Sequence, residues 1–197
     1  MAASILKDIL KKGAQKGILP AKEEESRNWF RDKAKRVRNL DQRSLMQSGI
    51  VRGRVMPGFM YMFSYDPKLK DTLPYYDRFP LVFPFGKVEG GFMGLNLHYL
   101  PRNYRAVLMD ALYDEEYLSD TDFNAKTKLV INYQILNSTS KLEYFKPCVK
   151  TYLYSHVKSR YILVPSNEWD IALFLPTENF AKASKEKVQR DSVRKIG

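Results

Sequence analysis

A chain of 197 residues has room for one moderate domain with appended segments, and at this size it can bury roughly 70% of its unfolded surface without disulfides or metals. The single cysteine, Cys148, excludes an internal disulfide and fits a reducing compartment, and no stretch approaches the ~18 apolar residues of a membrane span. The net charge of +11 is uneven: residues 1–57 carry 14 Lys/Arg and 6 Asp/Glu, residues 177–197 carry 6 and 3, and residues 58–176 are balanced at 13 and 13. A neutral body with basic ends suits contact with a polyanion; solubility alone, or docking on an acidic protein, are the alternatives.

The N-terminal MAASILKDILKKG lacks the unbroken apolar run of a secretory signal, so a soluble chain is expected. Ile5, Leu6, Ile9 and Leu10 share one face of a short helix that ends by Pro20. From Ala21 a longer helix is predicted, with Glu23, Glu24 and Glu25 in its first turn, where they complement the macrodipole. Phe30, Ala34, Val37 and Leu45 keep near one face, and Arg27, Arg31, Lys35 and Arg38 line a flank. Gly49 is the predicted stop, and Arg52 and Arg54 follow before Pro57.

After Pro57 the texture becomes strand-like. FMYMFSY (59–65) predicts a strand, DPKLKDTLPYYD (66–77) a loop, and LVFPFG (81–86) and FMGLNLH (92–98) a hairpin turning at Glu89-Gly90-Gly91, with Pro84 at an edge or bulge. Pro101 opens a helix carrying Tyr104, Val107, Leu108, Ala111 and Leu112 on one face. KLVINYQILN (128–137) and PCVKTYLYSHV (147–157) read as two further helices, RYILVP (160–165) as a strand returning to the sheet, and SNEWDIALFL (166–175) as a short buried helix. The expected architecture is α+β: a small, curved antiparallel sheet, one form of which is SH3-like, packed with several helices. A basic helical arm (1–57), the α+β core (58–176) and a basic C-terminal tail (177–197), partly helical at best, divide the chain.

The inventory for catalysis is thin. His98 and His156 lack partner motifs and are expected to be structural or surface residues. Cys148 and His156, placed on one helix, would lie about 12 Å apart along its axis, too far to pair. No zinc-ligand spacing and no phosphate-binding loop occurs. Asp66, Asp71 and Asp77 could be arranged as the magnesium cluster of a nuclease, but Asp in a Pro-rich loop ordinarily caps turns through the backbone. No catalytic residue, metal or cofactor is therefore expected. Tyr61, Phe63 and Tyr65 alternate on one strand face, as base-stacking aromatics do, yet Met60 and Met62 make the opposite face apolar too, which favours core packing.

The runs DPKLKDTLPYYDRFPLVFPF, GGFMGLNLHYLP, RAVLMDALYD and SRYILVPSNEWDIALFLP resemble the DNA end protector family, minor head proteins of T-even-type tailed phages. The likeness spans residues 58–176 and takes in ILKDILKKGAQKGILP near the N-terminus. It implies a non-enzymatic virion protein, assembled in the host cytoplasm, that binds the ends of packaged double-stranded DNA, shields them from exonuclease and helps complete the head. Portal, neck or other virion proteins are the implied neighbours, and no membrane is involved. It supplies no catalytic motif. End binding that tolerates varied sequence needs phosphate contacts rather than base readout. The residues expected to supply them are Arg27, Arg31, Lys33, Lys35, Arg36, Arg38, Arg43, Arg52 and Arg54. The alternative is a structural neck or baseplate adaptor whose basic arms grip neighbouring proteins.

Overall fold

The computed structural model describes residues 49–102, 104–105, 143–165 and 168–195. Strands form where aromatic and β-branched residues alternate: β1 (Ile50–Arg52), β2 (Met60–Met62), β4 (Leu81–Val88), β5 (Gly91–Asn96), β6 (Val149–Leu153) and β7 (Tyr161–Val164) build one sheet in the order β1-β7-β2-β4-β5-β6. Every pairing in it is antiparallel. A separate two-stranded ribbon pairs β3 (Tyr76–Asp77) with β8 (Phe180–Ala181). Among the described residues, α1 (Trp169–Ala172) is a single helical turn and α2 (Lys185–Arg194) runs for ten residues.

Side-chain alternation puts an apolar cluster on each face of the sheet. Met60 and Met62 of β2, Leu81 and Phe83 of β4, Leu95 of β5, and Ile162 and Val164 of β7 join Trp169 and Leu173 on one side. Tyr61, Phe63, Val82, Phe92, Tyr152 and Tyr161 gather on the other. The aromatic side is the concave one. Phe63 meets Tyr152 of β6 and Tyr161 of β7, each with ring centroids 5.2 Å apart, although those strands lie far apart in the sheet order. Edge-to-face contacts of this kind contribute about 0.5–1.5 kcal/mol each beyond area burial. The Tyr65 hydroxyl accepts the Leu153 N–H at 3.1 Å, and Lys158 N–H donates to Ser64 O at 2.8 Å. A bridge between Tyr65 and Val157 completes the seam, so the connection from β6 to β7 closes the curl against the end of β2.

Gly90 turns the β4–β5 hairpin at φ 67°, and a Cβ on Gly91 would stand 2.1 Å from the Tyr152 carbonyl oxygen, so the pairing of β6 with β5 needs glycine at that position. The register slips between Pro84 and Gly86, a bulge beyond the β4 residues that pair with β2, which lets proline sit inside the sheet. The strands expected at 59–65, 81–86, 92–98 and 160–165, and the short buried helix in 166–175, are present at their cores.

Two expectations need correction. The helix read at 147–157 is β6 flanked by 3-10 turns at Glu143–Cys148 and Tyr154–His156. Val149, Thr151 and Tyr152 favour a pleated surface, and pairing with Gly91–Leu95 overrides any helical period. Cys148 and His156 thus flank an extended strand, which carries them further apart than a helix would. Second, among the described residues the sheet is not packed with several helices: they are mostly strand and connection. The stretch read as a basic tail, partly helical at best, contains β8 and α2. Ser184 caps α2 by accepting the Lys187 N–H at 3.3 Å, and Val188 and Ser192 are buried beneath it. At the opening expected of the 101–112 helix, Arg105 N–H donates to Pro101 O at 3.1 Å, a helical i→i−4 bond. The remainder of that segment, the 128–137 segment and the helices expected within 1–48 lie outside the described residues.

Candidate nucleic-acid interface

Arg52 and Arg54 emerge from the edge of the sheet. Among the described residues β1 pairs only with β7, aligning Arg52 with Tyr161, and the chain then bends through Gly53 to Arg54. Both arginines are exposed, and neither has a carboxylate at ion-pair distance among the described residues. A fork of donors on an open strand edge suits a phosphate, which accepts two N–H groups from one guanidinium. Arg27, Arg31, Lys33, Lys35, Arg36, Arg38 and Arg43 lie outside the described residues.

A second basic feature was not foreseen. Between the 65–77 loop, β6 and the end of α2 lies a cavity of about 570 Å³, lined in part by Tyr75, Tyr99, Tyr152, Lys146, Lys150 and Lys195. The Lys150 ammonium stands 4.1 Å from the centroid of the Tyr99 ring, a cation–π contact. Burial lowers its pKa to about 8, with the Lys195 charge adding to the shift. Burial pushes the Tyr99 and Tyr152 phenols up, so both are neutral at physiological pH. It also pushes the neighbouring Cys148 thiol up to about 12, which keeps that group neutral. The Tyr152 hydroxyl, buried near the Asn96 amide, makes no hydrogen bond of acceptable geometry. Reading 147–157 as a helix hid this wall. Alternation in Lys150-Thr151-Tyr152 was the signal that could have found it, because it turns Lys150 and Tyr152 to the same face of a strand.

The carboxylates once considered for a metal do different work. Asp77 is buried: its Oδ2 lies 2.7 Å from His98 Nδ1 and accepts the Asn96 amide at 3.1 Å, and its Oδ1 accepts the Phe79 N–H. Asp66 pairs with Lys70 at 3.1 Å on the surface. Asp71 offers its backbone carbonyl to Lys182 at 2.9 Å. Among the described residues no three His, Cys, Asp or Glu side chains gather as a metal site.

His98 also contacts Thr177 Oγ1 through Nε2 at 3.0 Å, giving an Asp–His–Thr chain with the connectivity of an activated nucleophile. All three residues are buried, Thr177 to 4% exposure, so the hydroxyl has no face open to a substrate. The chain is a core crosslink between the β3 region and the segment leading to β8. Beside it, Arg105 is fully buried, donating to the Leu100 and Leu173 carbonyls at 2.9 and 2.7 Å and pairing with Glu178 at 2.7 Å. His156 is half-buried, with Nδ1 at 2.8 Å from the Asp66 carbonyl. No helix among the described residues is long and apolar enough to cross a membrane.

A family model described as the phage T4 terminal DNA protecting protein matches residues 2–195. No curated protein and no solved structure matches the chain.

Proposed function

The chain belongs to the phage T4 terminal DNA protecting protein family, and on that premise we propose that it is a minor virion protein that binds the ends of packaged double-stranded DNA without enzymatic action. The family supplies the DNA end as partner and the virion as location. The basic residues of the first 57 positions supply the means, gripping phosphates while the balanced core holds them in place. Arg52 and Arg54 carry this reading best, because both are exposed, one on the edge strand and one in the bend beyond it, without acidic partners among the described residues. In this reading Arg27, Arg31, Lys33, Lys35, Arg36, Arg38 and Arg43 extend the same contact. The protein joins the particle in the host cytoplasm, completes the head and sits against portal or neck proteins.

The test is duplex binding by the full chain across a salt series. Affinity should fall steeply with salt, and the double variant Arg52→Gln/Arg54→Gln should flatten the slope by about 2 log units per log unit of salt. Salt-insensitive binding, or a variant with an unchanged slope, would count against phosphate contact. It would favour basic segments that dock on acidic virion proteins instead.

A further inference from the structure

We infer that the cavity between the 65–77 loop, β6 and α2 receives the phosphate-bearing terminal nucleotide of a DNA strand. The inference rests on the end-binding reading and gives it a chemical address. At about 570 Å³ the cavity lies within the ~300–1,000 Å³ range of small-ligand sites, so it would take a nucleotide rather than a protein segment of any length.

Its chemistry divides into two halves. Tyr75, half-buried and backed by Tyr99 at 6.1 Å between ring centroids, offers aromatic surface for a base or sugar. Lys150 and Lys195 offer positive charge, with Lys146 adding to the same wall. Lys150 is the telling residue. It is half-buried, has no carboxylate partner among the described residues, and its ammonium lies against the Tyr99 ring face. A cation drawn partly out of water against a ring face gains further from a bound anion. One carboxylate, Asp77, also lines the cavity, but both its oxygens are engaged by His98, Asn96 and the Phe79 N–H. The site therefore favours an anion with a planar ring attached, the chemistry of a nucleotide.

The experiment uses the full chain with two duplexes that differ only in a 5′-phosphate or 5′-hydroxyl terminus, together with deoxyadenosine 5′-monophosphate and inorganic phosphate as free probes. The phosphorylated duplex should bind about tenfold more tightly, a difference of the size one charge-assisted contact provides. Lys150→Met should abolish the preference while the protein still unfolds cooperatively, and Lys195→Gln, an exposed change, should reduce it. The mononucleotide should raise Tm in the wild type and not in Lys150→Met. Equal affinity for the two duplexes with no mononucleotide shift would overturn the pocket assignment and leave end binding standing. A mononucleotide shift without duplex binding would overturn the end-binding reading and leave the pocket. An equal shift from inorganic phosphate at the same concentration would overturn the nucleotide as the ligand.

Discussion

Replacing Glu178 by Gln tests the buried ion pair that ties the segment before β8 to the start of the helix after Pro101. The Arg105 and Glu178 side chains are 0% and 2% exposed and meet at 2.7 Å. Burial alone would raise the Glu178 carboxyl, but the Arg105 guanidinium outweighs it, with His98 adding to the effect, and the pKa falls from 4.5 to about 2. A shift of that size corresponds to about 3 kcal/mol of native-state stabilisation of the carboxylate, in line with the ~3–5 kcal/mol cost of removing one partner from a buried pair. Gln retains an acceptor for Arg105 but leaves its charge uncompensated, so urea unfolding at pH 7 should show a loss of about 3 kcal/mol. With m near 2 kcal/mol/M that is a midpoint lowered by roughly 1.5 M at unchanged m.

The pH dependence carries the sign. The folded pKa is depressed, so the contribution is complete above pH 4.5 and fades as pH falls toward 2. Linkage gives a loss of about 2 kcal/mol by pH 3, leaving a wild-type advantage of only about 1 kcal/mol there. A difference below about 1 kcal/mol at pH 7, or one that does not shrink on acidification, would refute the reasoning.

Gly91→Ala should destabilise by about 1–3 kcal/mol in thermal or urea unfolding, because its Cβ would meet the Tyr152 carbonyl oxygen at 2.1 Å. Gly86→Ala, whose nearest neighbour would be the Met93 Cβ at 3.7 Å, should be neutral by the same assay within about 1 kcal/mol. Lys182 adopts φ 67° and donates to the carbonyls of Lys70, Asp71 and Leu73 at 2.6, 2.9 and 3.1 Å. Lys182→Ala should therefore raise amide exchange in the 66–77 loop well before it affects exchange in β4 and β5.

The sheet was legible because strand patterning is local. Alternating Met and aromatic residues in 59–65 announce a strand covered on both faces, and the structure seats Met60 and Met62 in one cluster and Tyr61, Phe63 and Tyr65 in the other. Glu89-Gly90-Gly91 announced the hairpin for an equally local reason. What could not be read depends on distant partners. Residues 149–153 become a strand because β5 offers them a free edge, and Lys185–Arg194 becomes an ordered helix because Val188 and Ser192 find the core while charge hides so thin an apolar stripe. Asp77 looked like one of three loop carboxylates and is the buried partner of His98, 21 positions away. The pocket draws its lining from the 65–77 loop, β6 and α2, and no single stretch of sequence announces such a meeting. Of the nine basic residues expected to touch DNA, Arg52 and Arg54 are described, both exposed.

Exonuclease digestion of a blunt linear duplex in the presence of the full chain tests most directly whether this protein grips ends. Protection should saturate near a fixed number of chains per terminus and persist when closed circular duplex is added at equal nucleotide concentration. Protection that the circular competitor removes in proportion to its mass would show binding to duplex anywhere along its length and contradict recognition of the terminus.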